Sequence, residues 1–96
     1  MPSEEIIVAG EEASRVVDAL TSVSFKILEL LTNEQLDVST IAERLELSEA
    51  YISEQMRLLE DLKFIRVRYE RGKKGIRKIC QTAVKKITIL INPKAS

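Results

Sequence analysis

The stretch STIAERLELSEAYISEQMRLLEDL, residues 39–62, contains two short helical patterns separated by one break. Ile41, Ala42 and Leu45 fall at the spacing of one helix face, and Ser39 precedes them as an N-cap. Leu47-Ser48 interrupts that pattern. Ser48 then caps a longer helix, with Glu49 in its first turn and Ile52, Met56, Leu59 and Leu62 along one face. The spacing predicts a short helix, a tight turn and a second helix.

With Ile52, Met56 and Leu59 turned to the core, the opposite face presents Ala50, Tyr51, Ser53, Glu54 and Arg57, with Gln55 near its edge. Two helices joined in this way form the helix-turn-helix that holds its second helix in the major groove of DNA. Any small helical domain can also place two amphipathic helices across a short turn, so the flanking sequence has to decide.

Beyond Leu62 the period changes from 3.6 to 2. Ile65, Val67 and Tyr69 alternate with Arg66, Arg68 and Glu70, the pattern of a half-buried strand. Arg71-Gly72-Lys73-Lys74-Gly75 reads as a turn, and Ile76 to Cys80 as the returning strand of a β-hairpin with a basic tip. Gln81-Thr82-Ala83 is a bend, and the β-branched run over 84–91 predicts a terminal strand.

Upstream, residues 1–10 read as a loose arm or short extended segment around Ile6-Ile7-Val8. A helix is expected from Glu11, with Ala13, Val16, Val17 and Leu20 at helical spacing and an acidic start that suits the helix dipole. Thr21-Ser22 and Ser24 interrupt it. A second helical segment runs through Phe25, Ile27, Leu28, Leu30 and Leu31, and Leu36-Asp37-Val38 is a brief strand or extended linker.

The 96 residues suffice for one domain with its own core, with no linker or repeat to divide them. The expected class is α+β, mainly α, with the helix-turn-helix at 39–62 and the hairpin at 63–80. The chain is 45% apolar and 31% charged, and no apolar run reaches the ~20 residues of a membrane helix. The acidic start MPSEEIIVAG lacks the features of a secretory leader, so a cytoplasmic location is expected. The single cysteine, Cys80, is expected to be a reduced core residue. Without histidine, a glycine-rich phosphate loop or a nucleophile and base pair, neither enzymatic chemistry nor a cofactor is expected.

The zero net charge conceals a division along the chain. Residues 1–62 hold 4 Lys or Arg against 14 Asp or Glu, and residues 63–96 hold 11 against 1. Such asymmetry points to a polyanion-binding face, and the sign changes where the second helix of the motif ends. The cluster Arg71, Lys73, Lys74, Arg77 and Lys78 could equally be a solvated tip that protects a strand edge from aggregation.

The order helix, helix, helix-turn-helix, basic hairpin resembles the winged-helix transcription regulators, particularly the ArsR-like family and its archaeal members. The resemblance rests on VVDALTSVSFKILELL, LDVSTIAERLELSEAYISEQMRLLEDLKFI and RVRYERGKKGIRKIC. It implies that Ser48, Ala50, Tyr51, Ser53, Glu54 and Gln55 approach base edges or phosphates, and that Arg71, Lys73, Lys74 and Arg77 serve a wing; the exposed helix face itself adds Arg57 as a candidate reader. It also implies double-stranded DNA as partner and a homodimer, for which Val16, Val17 and Leu20, or Ile87, Ile89 and Ile91, are the candidate surfaces. Metal-sensing members use cysteine pairs in the first helix of the motif, and residues 36–45 hold none, so no thiolate or imidazole metal site is expected. Glu46 stands where the family often has glycine, and a left-handed backbone there would cost about 1 kcal/mol. Glu49 and Glu54 place negative charge on the reading helix. The rival expectation is a winged-helix protein-interaction module of a transcription or chromatin assembly, whose acidic helix meets a basic protein surface.

Overall fold

In the computed structural model, residues 5–92 and residue 94 are described. The order is β1 (Glu5–Ala9), α1 (Gly10–Ala19), α2 (Ser22–Asn33), β2 (Leu36–Asp37), α3 (Val38–Leu45), α4 (Glu49–Asp61), β3 (Ile65–Gly72), β4 (Gly75–Thr82) and β5 (Lys86–Leu90). Mainly helical α+β architecture with a hairpin wing is thus what the chain adopts.

Local chemistry explains the helix boundaries. Thr21 and Ser24 do not merely interrupt: they form a reciprocal capping box at the start of α2, the Ser24 N–H donating to Thr21 Oγ1 at 3.1 Å and the Thr21 N–H to Ser24 Oγ at 2.7 Å. Buried Ser24 is further satisfied by donating its hydroxyl to the Ala19 carbonyl at 2.9 Å, which ties α2 to the end of α1. The cap of α3 is Asp37 and not Ser39, because Asp37 closes strand β2 and its carboxylate accepts the Thr40 N–H at 2.8 Å. Ser48 caps α4 as expected, accepting the Tyr51 N–H at 3.1 Å.

Helices α3 and α4 end alike. Leu47 N–H reaches the Ala42 carbonyl at 3.0 Å over a left-handed Glu46 (φ 58°), and Phe64 N–H reaches the Leu59 carbonyl at 3.0 Å over a left-handed Lys63 (φ 64°). Both are Schellman closures built on residues with a Cβ, where glycine is the unstrained choice. Glu46→Gly is therefore expected to raise stability by about 0.5–1 kcal/mol, measured as a higher urea midpoint with an unchanged slope.

The core is a single cluster. Ile27 and Leu31 of α2, Ile41 of α3, Ile52, Met56 and Leu59 of α4, Phe64 and Cys80 are each at most 1% exposed. Strand β4 is central in an antiparallel sheet ordered β2-β4-β3, with Leu36 opposite Cys80 and Val67 opposite Cys80 on the other side. The Thr82 hydroxyl donates to the Leu28 carbonyl at 2.9 Å, fixing the base of the hairpin against α2.

The expected loose arm is corrected by its own β-branched run. Residues 1–4 lie outside the described residues, but Glu5–Ala9 forms a parallel two-stranded sheet with β5, Ile6 opposite Ile87 and Val8 opposite Ile89. Val8, 3% exposed, anchors this pair to the core. The terminal strand is shorter than the expected 84–91, since Val84 is a buried residue of the connection and pairing ends at Leu90.

Candidate nucleic-acid interface

Helix α4 presents two contrasting faces. Ile52, Gln55, Met56 and Leu59 are buried, whereas Ala50, Tyr51, Ser53, Glu54 and Arg57 are exposed, Tyr51 at 40%. Gln55 departs from the expected exposed edge: at 8% exposure it lies with the core stripe, three residues after Ile52 and four before Leu59. Its Oε1 has no hydrogen-bond partner among the described residues.

The exposed residues divide further. Arg57 donates to Glu54 at 2.7 Å and to Asp61 at 3.3 Å, and the Arg57 hydrogen bond holds the Glu54 carboxyl below its ordinary value. Glu54 is thus ionised and engaged with its neighbour. Ser48 spends a lone pair on its cap but keeps a hydroxyl proton to donate. Glu49, Ala50, Tyr51 and Ser53 are the exposed positions of the first two turns with no side-chain bond among the described residues.

The hairpin turns at Gly72-Lys73-Lys74-Gly75, with Gly72 opposite Gly75, which puts the two lysines at the apex. Gly75 takes φ 120°, a conformation that side chains with a Cβ rarely adopt. Arg71, Lys73, Lys74 and Arg77 are all exposed. Of the four, Arg77 is ion-paired, its Nε lying 3.4 Å from Asp37 Oδ2. Lys78 lies 3.4 Å from Glu60 near the end of α4, so both helices of the motif are joined to the outgoing strand of the wing.

Asp37 is therefore a shared joint, capping α3 with one oxygen and meeting the wing with the other. Hydrogen bonding by Thr40, with a smaller attraction from Arg77, holds its carboxyl below the usual aspartate value. A lowered folded value means that the stabilisation is complete above the unfolded value and disappears as pH falls through the folded one. Asp37→Ala is expected to lower stability by about 1 kcal/mol near pH 7, and Asp37→Asn by much less, because asparagine still caps. In urea melts the gap between wild type and Asp37→Ala should narrow at acidic pH.

Two wing residues depart from the pattern that alternation predicts. Tyr69 is expected on a half-buried face but is 68% exposed, and Ile76 is 76% exposed. Strand register places Tyr69 opposite Lys78 and Ile76 opposite Arg71, on the same face as the core-facing pair Val67 and Cys80. The core ends at Val67, and the hairpin carries its apolar face onward into solvent together with two cations. Cys80 is fully buried, and burial pushes its thiol up to about 11, so a thiolate ligand is disfavoured there. Among the described residues no group of three or more metal-ligating side chains occurs.

The two candidate pairing surfaces turn out to be adjacent. Val16, at 1% exposure, is a core residue and drops out. Val17 shares a groove with Ile89 and Ile91, while Leu20 and Phe25 share another with Ile87 and Ile89, so Ile89 lies between the two.

Comparison with known proteins finds similarities to this geometry. Residues 24–67, from α2 into β3, match the family described as bacterial regulatory protein, arsR family. That segment, a little under half of the chain, is similar to the ArsR family. No curated protein matches the sequence. Among solved structures, the fold is shared with reduced HlyU from Vibrio cholerae, at 20% identity and TM-score 0.63 over 75% of this chain and 73% of that one. A homodimeric winged helix-turn-helix DNA-binding domain, Mb0332 from Mycobacterium bovis, is similar at 24% identity and TM-score 0.65, over 76% of this chain and 65% of that one. A possible transcriptional regulator from Methanosarcina mazei matches at 12% identity and TM-score 0.62, over 75% and 63%. The chain thus spans less than two thirds of the latter two. Among the described residues no helix is long and apolar enough to cross a membrane.

Proposed function

We propose that the protein is a transcription regulator that binds double-stranded DNA as a homodimer, with the outer face of α4 in the major groove and the wing on backbone phosphates. The supporting observation is that Ala50, Tyr51 and Ser53 stand exposed at the start of a helix whose other face is core, while Arg71, Lys73 and Lys74 carry no ion pair among the described residues. Tyr51 and Ser53 can bond base edges, and Ala50 offers a methyl contact to thymine. Glu54 accepts from a cytosine amino group once Arg57 leaves it for a phosphate. Ser48 donates its hydroxyl to a phosphate at the positive end of α4. The family match over 24–67 and the homodimeric Mb0332 domain agree with this reading.

Selection of bound fragments from genomic DNA at physiological salt tests the proposal. The expected product is a pseudo-palindromic site with half-sites one turn, ~34 Å, apart. Failure to retain any duplex, even at low salt, overturns it.

A second reading draws on the acidity of α4. Glu49, Glu54 and Asp61 are exposed on a helix that would meet phosphates, and a basic protein surface would suit them. In that case the isolated protein binds no duplex, and wing substitutions leave partner capture intact.

A further inference from the structure

The sheet formed by β1 and β5 is unusual in having only two strands, which run parallel and leave one edge of each without a strand partner among the described residues. Such an edge presents a row of unpaired N–H and C=O groups, and folded proteins blunt it with charge, proline or a bulge. From Ile87 to Leu90, β5 has none of these devices. The two edges also have different surroundings. Beside β1, the charged residues Glu12, Arg15, Asp61 and Lys63 share a groove with Ile6, Val8 and further apolar residues, and Ile7 is exposed. Beside β5 stand the exposed apolar residues Val17 at 57%, Phe25 at 55% and Ile91 at 92%, in two grooves that Ile89 also lines and one of which includes Glu29, Lys85 and Lys86.

We infer that β5 pairs with β5 of a second copy, antiparallel and centred on Thr88, to give a continuous four-stranded sheet ordered β1-β5-β5-β1 across the dimer. The inference rests on the homodimer proposed above and specifies how it is built. A two-fold axis sets a strand against itself only in the antiparallel sense. Centring on Thr88 pairs all five strand residues: Ile87 faces Ile89, and Lys86 faces Leu90. Centring on Lys86 would instead set like charges opposite each other, which is unfavourable. Lys86 already lies 3.6 Å from Glu5 within its own subunit, so the joint adds no uncompensated charge. The occupant is a second copy because the strand is complementary to itself in this register, and the two-fold brings the Val17, Phe25 and Ile91 surfaces towards the same seam. An ArsR-type core would thereby dimerise through backbone pairing of its terminal strands.

The test uses the full chain with Thr88→Cys. Opposed residues of an antiparallel pair have Cα atoms about 4.5–5.5 Å apart, within disulfide reach in either pairing type. Mild oxidation should convert the variant to a covalent dimer, while the wild type, whose Cys80 is buried, and an exposed Ser53→Cys control stay uncrosslinked. Because Thr88 donates to Glu5 at 2.6 Å, the substitution could disturb β1, so hydrogen exchange on the wild type provides a second readout. Amides of residues 86–90 should gain protection as concentration rises through the dimer transition. A dimer by sedimentation with no crosslink and no such protection overturns the strand pairing and leaves the homodimer standing. A monomer at every concentration, with and without duplex, overturns both.

Discussion

Replacing Lys73, Lys74 and Arg77 together by alanine is expected to reduce duplex affinity roughly 100-fold at about 0.15 M salt and to flatten the dependence of log K on log salt by about 2.7, or 0.9 for each phosphate that is no longer neutralised. The effect comes from counterion release, which depends on the number of phosphates neutralised and not on base identity. Lys73 and Lys74 sit at the apex of the hairpin without acidic partners among the described residues, and Arg77 has only the exposed side of a 3.4 Å pair to give up. The loss should therefore be uniform across sequences. Tyr69→Ala should behave differently, weakening binding with an unchanged slope, because its exposed ring carries no charge. Salt titrations on one selected site and one unrelated duplex measure both quantities. An unchanged slope in the triple variant would remove the wing from the interface while leaving α4 in it.

The second large effect is on stability. Phe64→Ala is expected to cost about 3–5 kcal/mol, a large part of the roughly 5–15 kcal/mol that holds a domain together. Phe64 is 1% exposed at the point where α4 gives way to the wing. Its N–H closes α4 on the Leu59 carbonyl and its carbonyl accepts the Ala83 N–H at 2.8 Å. These backbone bonds survive the substitution, so the loss comes from the cavity and from apolar packing against the helices. Urea unfolding at fixed protein concentration measures it, and a loss below about 1 kcal/mol would place the ring outside the core.

What can be read from the sequence is what is decided within a few residues. Ser48 and the stripe Ile52, Met56, Leu59 lie inside one helix, and cap and period together fix it. The hairpin is legible for the same reason, since its turn and both strands are contiguous. Gln55 is misplaced by a reading that lets its polarity outweigh its position: the buried arc of α4 is wide enough to include it at one edge, next to Leu59 on the wheel. Asp37 and Ser39 are equally good caps in isolation, and the extension of pairing from β4 to Asp37 favours the earlier one. Alternation tells which way Tyr69 points but not how far the body extends beneath it. The β1 pairing is hidden by distance, because nothing near Ile6 indicates that its partner lies at Ile87.

That distance bears on how the chain is made. Glu5 and Thr88, joined in the finished molecule across 83 positions, leave the ribosome far apart in time. During synthesis the segment from α2 to β4 can close around Ile27, Ile41, Ile52 and Phe64 while β1 still waits, with Val8 uncovered, for residues 86–90 to emerge. Closing so long a loop is entropically slow and is rewarded only once the body exists to receive it. The molecule should therefore mature in two stages, a nascent winged body followed by a clasp at its ends, and the interval between them is when a chaperone would find an apolar strand to hold.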